Sequence, residues 1–251
     1  MLNVDSRANV DLGNNHFDYE VKMITSHHQG LILKSLLDHH LVSDFEYPRA
    51  RVWSLYYDTL NFDFLNEKIN SDYHKSKVRI RTYFPLEDPS LVNFENGYQH
   101  QNLHQNPYFL EIKEKFDNKR TKKRFKRAIN HQIFNDFNHD TLMDIGEELR
   151  RELSDHYQTL FPMFVVSYDR YRYIHQPTQL RLCLDLNIFC PQVNQRFLTL
   201  GNLSYLKECV FELKGQIKEI PQDLRFLEKF HLKLNSFSKY LAVHEQLIKK
   251  Y

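Results

Sequence analysis

The stretch LRLCLDLNI, residues Leu180 to Ile188, decides how this chain is expected to fold, because its apolar and polar residues alternate without a break. In a β-strand, residues i and i+2 lie on the same face. One face is therefore wholly apolar and is formed by Leu180, Leu182, Leu184, Leu186 and Ile188. The opposite face carries Arg181, Cys183, Asp185 and Asn187. The pattern predicts a strand with one face on the core and an unusually charged second face.

The same alternation recurs in other segments of the chain. It is found in DYEVKM (18–23), KVRIRTY (77–83), FLEIKEK (109–115) and VFELKGQ (210–216). One face of each is apolar, and the other carries Lys or Arg, with a Glu in three of the four. A sheet with one face in water would explain any one of these strands. Because the basic face repeats, we favour a second interpretation, in which the charged faces line the inside of a barrel.

Helical periodicity between the strands completes the predicted architecture. Apolar residues at helical spacing predict helices over His27–Leu41, Ile133–Leu160, Pro221–Leu232 and from Tyr240 onward. We therefore predict an α+β fold, an antiparallel β-barrel or tunnel with a charged interior that amphipathic helices cover. Residues 1–15 are expected to be disordered, and 16–251 to form a single domain. The polar stretch 86–107 is expected to be a mobile loop.

Composition excludes the common loop-built phosphate sites. The chain has 251 residues, a formal net charge of +2 and only six glycines, which are scattered along it. This spacing excludes a Walker loop or a dinucleotide fingerprint. The near-neutral total also offers no bulk reason to expect nucleic acid or an anionic membrane as the partner. If the protein binds phosphate, side chains must do it.

The remaining composition points to a reduced compartment. The three cysteines, Cys183, Cys190 and Cys209, have no C-x-x-C spacing, so we expect free thiols rather than a metal site. The paired histidines lack the spacing of a zinc site. No apolar run reaches the length of a membrane span, and the N-terminus does not resemble a signal peptide. We therefore expect a cytoplasmic protein without a membrane segment.

A barrel lined with Lys and Arg requires an anionic ligand. Like charges enclosed in a low-dielectric space repel strongly, so a polyanion must neutralise them. Arginine forms bidentate contacts with phosphate oxygens, and lysine supplies a point charge. The few glutamates on the same face are candidates to hold a divalent cation, which stabilises charge in phosphoryl transfer.

These motifs, in this order, resemble the triphosphate tunnel metalloenzyme superfamily, and within it the VTC domain of polyphosphate polymerases. The matching segments include YEVK (19–22), SLYYDT (54–59) with KVRIRTYF (77–84), FLEIKEK and TKKRF (121–125). They continue with VSYDRYRY (166–173), LRLCLDLNI, VFELKGQ and SKY (238–240). The resemblance implies transfer of the ATP γ-phosphoryl group to a growing polyphosphate chain inside the tunnel, aided by Mn²⁺ or Mg²⁺.

The resemblance also implies roles for individual residues. Seven would be catalytic: Lys22, Arg79, Arg81, Lys113, Arg170, Arg181 and Lys239. Six would bind substrate: Lys115, Lys122, Arg124, Tyr168, Lys214 and Ser238. Three would bind metal: Glu212, Glu20 and Glu111. ATP, polyphosphate or triphosphate would be the ligand, and a protein partner stays undefined.

Two departures and two alternatives accompany this resemblance. The first strand has a single E-x-K, with Asp18 in the outer position, where the hydrolase branch has E-x-E-x-K; this favours the polymerase-like branch. The 86–107 loop is longer than the family needs. A tunnel hydrolase, cleaving inorganic or nucleoside triphosphate, would use the same binding residues. A non-enzymatic polyanion binder is the other alternative. Its basic run KRTKKRFKR (119–127) could contact nucleic acid. We do not expect nucleic acid as the ligand, however, because no recognition module accompanies this run.

Overall fold

The structure, a computed structural model, describes residues 19–86, 107–117, 119–155, 157–200, 205–216 and 220–248. The expected disordered N-terminus (1–15) and residues 87–106 of the expected mobile loop lie outside this range. Within the described ranges, no helix combines the length and apolar character that crossing a bilayer requires.

One antiparallel sheet organises the molecule. Its strands follow the order β10-β1-β9-β8-β7-β3-β4-β5-β6, and β2 pairs with β7. The strands are β1 Tyr19–Ser26, β2 Val42–Ser43, β3 Arg49–Asp58, β4 His74–Phe84, β5 Tyr108–Phe116, β6 Lys119–Arg127, β7 Phe161–His175, β8 Leu180–Phe189, β9 Glu208–Gly215 and β10 Lys233–Leu234. The alternating segments of the sequence are all strands, as predicted, whereas β2 and β10 are too short to show a pattern.

Helices and turns join the strands. The α-helices are α1 His27–His40, α2 Asp63–Ile69, α3 Asp140–Arg151 and α4 Lys239–Ile248. The long helix predicted over Ile133–Leu160 is wrong: it is a 3₁₀ turn at His131–Asn135 followed by α3. The reason is local capping, because the side chain of His139 accepts a hydrogen bond from Thr141 N and begins a new helix there. The predicted helix after Pro221 is likewise a 3₁₀ segment, Gln222–Phe230.

The sheet curls until its two distant edges meet. Arg120 on β6 donates from Nη1 to Oε2 of Glu20 on β1 at 2.8 Å, although β1 and β6 are seven steps apart in the strand order. Residues of β1, β4, β5 and β6 also line one common cavity. The charged faces of the strands therefore surround an internal tunnel, as expected.

The apolar faces pack outward against helices. On β3, β4 and β5, buried residues such as Leu55, Ile80 and Ile112 pack in one cluster with Leu142 and Leu149 of α3. On β8 and β9, the four leucines of LRLCLDLNI and Phe211 of VFELKGQ pack with Leu33 and Leu37 of α1. Amphipathic helices thus cover the barrel where the sequence predicted that they would.

On the β3 and β7 side, part of the barrel interior is apolar rather than charged. Helix α4 packs there, and Tyr240 stacks on Tyr56 and Phe164 at centroid distances of 4.9 and 4.8 Å. Val243 and Leu247 of α4 belong to the same buried cluster. The inward residues of β7 change from arginine to apolar towards the strand's N-terminal end. The alternation of charged residues therefore stops there and does not indicate what packs against that part of the wall. Helix α4 therefore partly fills the barrel and places Lys239 at its inner surface.

Candidate functional site

Two arginines of β4 form the centre of the tunnel. Their side chains are 9% and 7% exposed, so both are nearly enclosed by protein. Arg79 donates from Nε and Nη2 to Glu111 Oε2 at 2.8 and 2.6 Å and from Nη1 to the Tyr56 hydroxyl at 3.2 Å. Arg81 donates from Nε to Ser54 Oγ at 3.0 Å and from Nη2 to the Tyr168 hydroxyl at 3.2 Å. The neighbouring strands thus hold both guanidinium groups in defined positions.

Glu111 is surrounded by arginine. In addition to its bonds with Arg79, its Oε1 lies 3.3 Å from Nε of Arg124 on β6. Burial alone would raise the pKa of Glu111, but the charges of Arg79 and Arg81 hold it well below its usual range. The carboxylate is therefore ionised and already neutralised. Its predicted role as a metal ligand does not fit this geometry, because both oxygens contact guanidinium groups.

A second acidic group lies where β1 pairs with β9. The strand register places Lys22 opposite Glu212 and Glu20 opposite Lys214. Lys22 Nζ lies 2.5 Å from Glu20 Oε1 and 3.4 Å from Glu212 Oε1, and Lys214 Nζ lies 3.3 Å from the same Glu212 oxygen. Burial would raise the pKa of Glu20, yet its hydrogen bond with Glu212 and the charge of Lys22 lower it well below the usual range.

These two glutamates fit a divalent cation better than Glu111 does, although they too are paired. Their cationic partners Lys22, Lys214 and Arg120 are 36%, 42% and 62% exposed and can move aside, whereas the Arg79 that holds Glu111 is 9% exposed. Mg²⁺ commonly binds one or two carboxylates together with substrate phosphates and water. Glu20 and Glu212 supply two carboxylates on one patch of the tunnel wall. Among the residues that the structure describes, no group of three or more His, Cys, Asp or Glu side chains is placed to hold a metal. A cation bound here would therefore need oxygen ligands from the phosphate substrate.

A third cluster forms around Asp185. Arg170 donates to both of its oxygens at 2.6 and 2.7 Å, and Lys239 Nζ of α4 lies 2.6 Å from Oδ2. Arg170 and Lys239 also lie over the Tyr168 ring, 5.3 and 4.6 Å from its centroid. Burial opposes ionisation of Asp185, but Arg170 and Lys239 lower its pKa to about 2. Three predicted residues thus meet: Arg170 and Tyr168 of β7, and Lys239, which is distant from them in sequence.

The tunnel opens beside α2 and the segment 235–237 that precedes α4 into a cavity of about 540 Å³, which we call the lysine chamber. Its cationic residues are Lys22, Lys68, Lys75, Lys77, Lys113, Lys115, Arg120 and Lys122. Glu20 and Glu114 are its two acidic residues, and Glu114 is bonded to Ser154 outside the sheet. Such an excess of positive charge in one cavity is suited to a polyanion.

Two lysines of the chamber have lowered pKa values, and other cationic groups lie close to both. The charge of Arg79, followed by burial, lowers the pKa of Lys113 well below its usual range. Lys113 is nevertheless exposed, because it lines the lysine chamber. Burial, followed by the charges of Lys22 and Arg79, lowers the pKa of Lys77 to about 8.

Other predicted residues lie at the margins of these clusters. Arg181 is exposed and lies opposite Lys214 in the strand register, so both lie at the outer edge of the tunnel. Ser238 is buried and accepts from Lys77 Nζ at 3.5 Å. The basic run of β6 divides by face: Lys122 and Arg124 point into the tunnel, as predicted, while Lys123 and Arg127 pair with Glu152 and Glu148 near α3.

Sequence reasoning missed several residues of the tunnel wall. Lys77 has the same parity as Arg79 and Arg81 in KVRIRTY, and Ser54 and Tyr56 have one parity in SLYYDT, so the alternation could have identified them. Arg120 could have been found in the same way, from its parity with Lys122. Lys68 lies on helix α2, so alternation along a strand cannot predict its direction. Only the packing of that helix brings Lys68 into the chamber.

The sequence of this chain matches a known domain family. A family model described as the VTC domain matches residues 17–248. A comparison with curated proteins finds no match to the sequence. Among solved structures, a candidate adenylate cyclase from Bacillus halodurans is 16% identical, with a TM-score of 0.46 and coverage of 87% of this chain and 92% of the other.

Two further solved structures are similar at comparable levels. A candidate adenylate cyclase from Vibrio parahaemolyticus is 9% identical, with a TM-score of 0.45 and coverage of 92% of this chain and 99% of the other. A conserved hypothetical protein from Pyrococcus furiosus is 10% identical, with a TM-score of 0.41 and coverage of 90% and 99%. The family assignment does not rest on these neighbours. It rests on the match of the domain model, which extends over every strand and helix described above: the chain belongs to the VTC domain family.

Proposed function

We propose that this protein is a polyphosphate polymerase that transfers the ATP γ-phosphoryl group to the end of a polyphosphate chain. A terminal phosphate oxygen of the acceptor attacks the γ-phosphorus, the bond to the β-phosphate bridging oxygen breaks, and ADP leaves. The observation that carries the proposal is the continuity of the cationic wall. It runs from Arg79 and Arg81 into the lysine chamber and so offers phosphate contacts to more than a single triphosphate.

The chain's residues would act by positioning and charge neutralisation. In the proposal, Arg79, Arg81 and Arg170 bind the triphosphate, with Lys22, Lys113 and Arg181 around it. Lys239 contacts the acceptor or product phosphate. Phosphoryl transfer needs little covalent chemistry from the protein, because aligned reactants and compensated charge supply most of the acceleration.

A divalent cation, Mn²⁺ or Mg²⁺, would be held by Glu212 and Glu20 and would neutralise phosphate charge when bound. Lys22 Nζ lies within 3.4 Å of an oxygen of each carboxylate. Lys22 is therefore placed to turn from the carboxylates to a phosphate oxygen, which keeps the local charge balanced.

The test is a product assay with purified protein, ATP and Mn²⁺ that measures polyphosphate and orthophosphate together. We expect long polyphosphate to accumulate. Orthophosphate without polyphosphate would instead identify the hydrolase, and binding of polyphosphate without either product would identify a binder. Arg79→Ala combined with Arg81→Ala should abolish binding and product. Arg127→Ala is the matched control, because Arg127 pairs with Glu148 outside the tunnel.

A further inference from the structure

The two ends of the tunnel differ in chemistry. Along β4, the inward residues follow the order Lys75, Lys77, Arg79, Arg81 and Tyr83. The lysine chamber contains the first two, so Tyr83 lies on the opposite side of the arginine pair. On the antiparallel neighbour β5, Phe109 lies opposite Arg81 in the register, on that same side. One end is therefore lysine-rich and the other begins with two aromatic rings.

The aromatic end is built from four planar groups, which we call the aromatic rim: Tyr83, Phe109, Arg124 and Arg172. The rings of Tyr83 and Phe109 lie 6.1 Å apart at 67°. The guanidinium group of Arg124 lies 3.7 Å from the Phe109 centroid, and that of Arg172 lies 5.6 Å from the Tyr83 centroid. Both rings are half-buried, so each keeps part of its surface open.

The rim is held in place by neighbouring elements. Arg172 donates from Nη1 to the carbonyl oxygen of Tyr47 at 3.0 Å, and Arg124 contacts Glu111. Aromatic rings and guanidinium planes are the surfaces on which nucleobases stack. The rim is thus a fixed stacking surface at the end of a row of phosphate-binding side chains.

From this asymmetry we propose that the aromatic rim binds the base of the nucleoside triphosphate, which sets the direction of the reaction. The phosphates then extend inward to Arg81 and Arg79, and the acceptor chain occupies the lysine chamber. Four residues of strand separate Tyr83 from Arg79, about 13 Å at the usual rise. An extended nucleoside triphosphate spans this interval from base to terminal phosphate. The inference rests on the proposed function, because it concerns the same tunnel.

The experiment compares ATP with tripolyphosphate on the full chain. Dissociation constants for both are measured by calorimetry in the wild-type protein and in the double variant Tyr83→Leu, Phe109→Leu. We expect the variant to bind ATP about tenfold more weakly, because the base loses the rings on which it stacks. Its affinity for tripolyphosphate should change by less than about twofold, because that ligand has no base to stack.

A matched aromatic pair elsewhere provides the control. Tyr73 and Phe116 also form an edge-to-face pair, with centroids 5.3 Å apart, but they are 65% and 47% exposed and lie at the opposite end of β4 and β5. Tyr73→Leu combined with Phe116→Leu should alter neither affinity. Equal weakening of ATP and tripolyphosphate by the rim variant, or no weakening of ATP, would overturn the inference.

The wild-type protein supplies a measurement that does not depend on folding of a variant. Saturation-transfer NMR with ATP should show the largest transfer to the adenine protons, and transfer confined to the ribose would contradict the rim. If tripolyphosphate binds but ATP does not, the rim inference fails while triphosphate binding stands. If neither ligand binds, the proposed function fails with it.

Discussion

Arg79 directs both Nε and Nη2 to a single oxygen of Glu111, at 2.8 and 2.6 Å, so the central carboxylate of the tunnel holds an arginine in place. This pairing leaves Glu20 and Glu212 as the acidic residues best placed for a cation. It also explains how an arginine can lie buried in the tunnel wall, because Glu111 already compensates the charge of Arg79.

Variants at Glu212 and Glu111 should differ in how added metal changes their affinity for triphosphate. In Glu212→Gln, we expect the increase in triphosphate affinity on adding Mn²⁺ or Mg²⁺ to be lost, because a carboxylate ligand is removed. In Glu111→Gln, the metal response should persist, while stability falls by up to about 3–5 kcal/mol as a buried ion pair is broken. Calorimetric titration with and without metal, together with urea unfolding, measures both effects. A lost metal response in Glu111→Gln would contradict the assignment.

Ligand binding should take up protons at Lys77. Its pKa of about 8 leaves Lys77 about half protonated at pH 8, and binding of a polyanion would raise that pKa. Triphosphate affinity should therefore fall as the pH rises above 8. Calorimetry at pH 8 in two buffers of different ionisation enthalpy measures the uptake.

Lys77→Met should reduce the number of protons taken up on binding. Lys113 should account for part of the uptake that remains in this variant. Lys34→Met is the control, because Lys34 lies on α1 and pairs with Asp38 outside the tunnel. Identical binding heats in both buffers for the wild-type protein would show that no proton is taken up.

The buried Asp58 should make stability depend on pH. It accepts hydrogen bonds from the backbone of Thr59, Phe64 and Leu65 and from the Tyr240 hydroxyl, and burial raises its pKa to about 7. Since the unfolded chain ionises near pH 4, its contribution to stability is complete below that pH and is lost as the pH rises through 7.

Asp58→Asn should therefore reduce the difference in unfolding free energy between pH 5 and pH 8. It should also cost about 1–3 kcal/mol at pH 5, because an amide cannot replace every hydrogen bond. Urea unfolding at the two pH values measures this, with the exposed Asp144→Asn as the control. An unchanged pH difference in Asp58→Asn would contradict the prediction.

The packing of α1 on the sheet requires a glycine. A Cβ at Gly30 would collide with Sγ of Cys209 and lie 2.8 Å from Cδ2 of Leu186. Gly30→Ala should destabilise the protein by about 1–3 kcal/mol, despite the better helix propensity of alanine. Ser35→Ala on the exposed face of the same helix is the control. Equal denaturation midpoints for Gly30→Ala and the wild-type protein would show that α1 shifts without cost.

The sheet and its inward face could be predicted because both depend on local alternation. In segments such as KVRIRTY, each residue's face follows from its neighbours two positions away, and Arg79 and Arg81 lie inside as that rule requires. The division of Ile133–Leu160 could not be predicted in this way, because the apolar periodicity continues through the capping residue His139.

The sequence by itself determined that basic side chains gather on one face of most strands, since strand parity is a property of the chain alone. The tertiary structure decided which of these side chains meet. Curling of the sheet brought Glu20 to Arg120, and packing of α2 and α4 brought Lys68 and Lys239 to the tunnel. It also decided that Glu111 pairs with arginine while Glu20 and Glu212 stay together. Such contacts depend on strand order and register, which join residues as far apart in sequence as Glu20 and Arg120 and leave no periodic trace in the sequence.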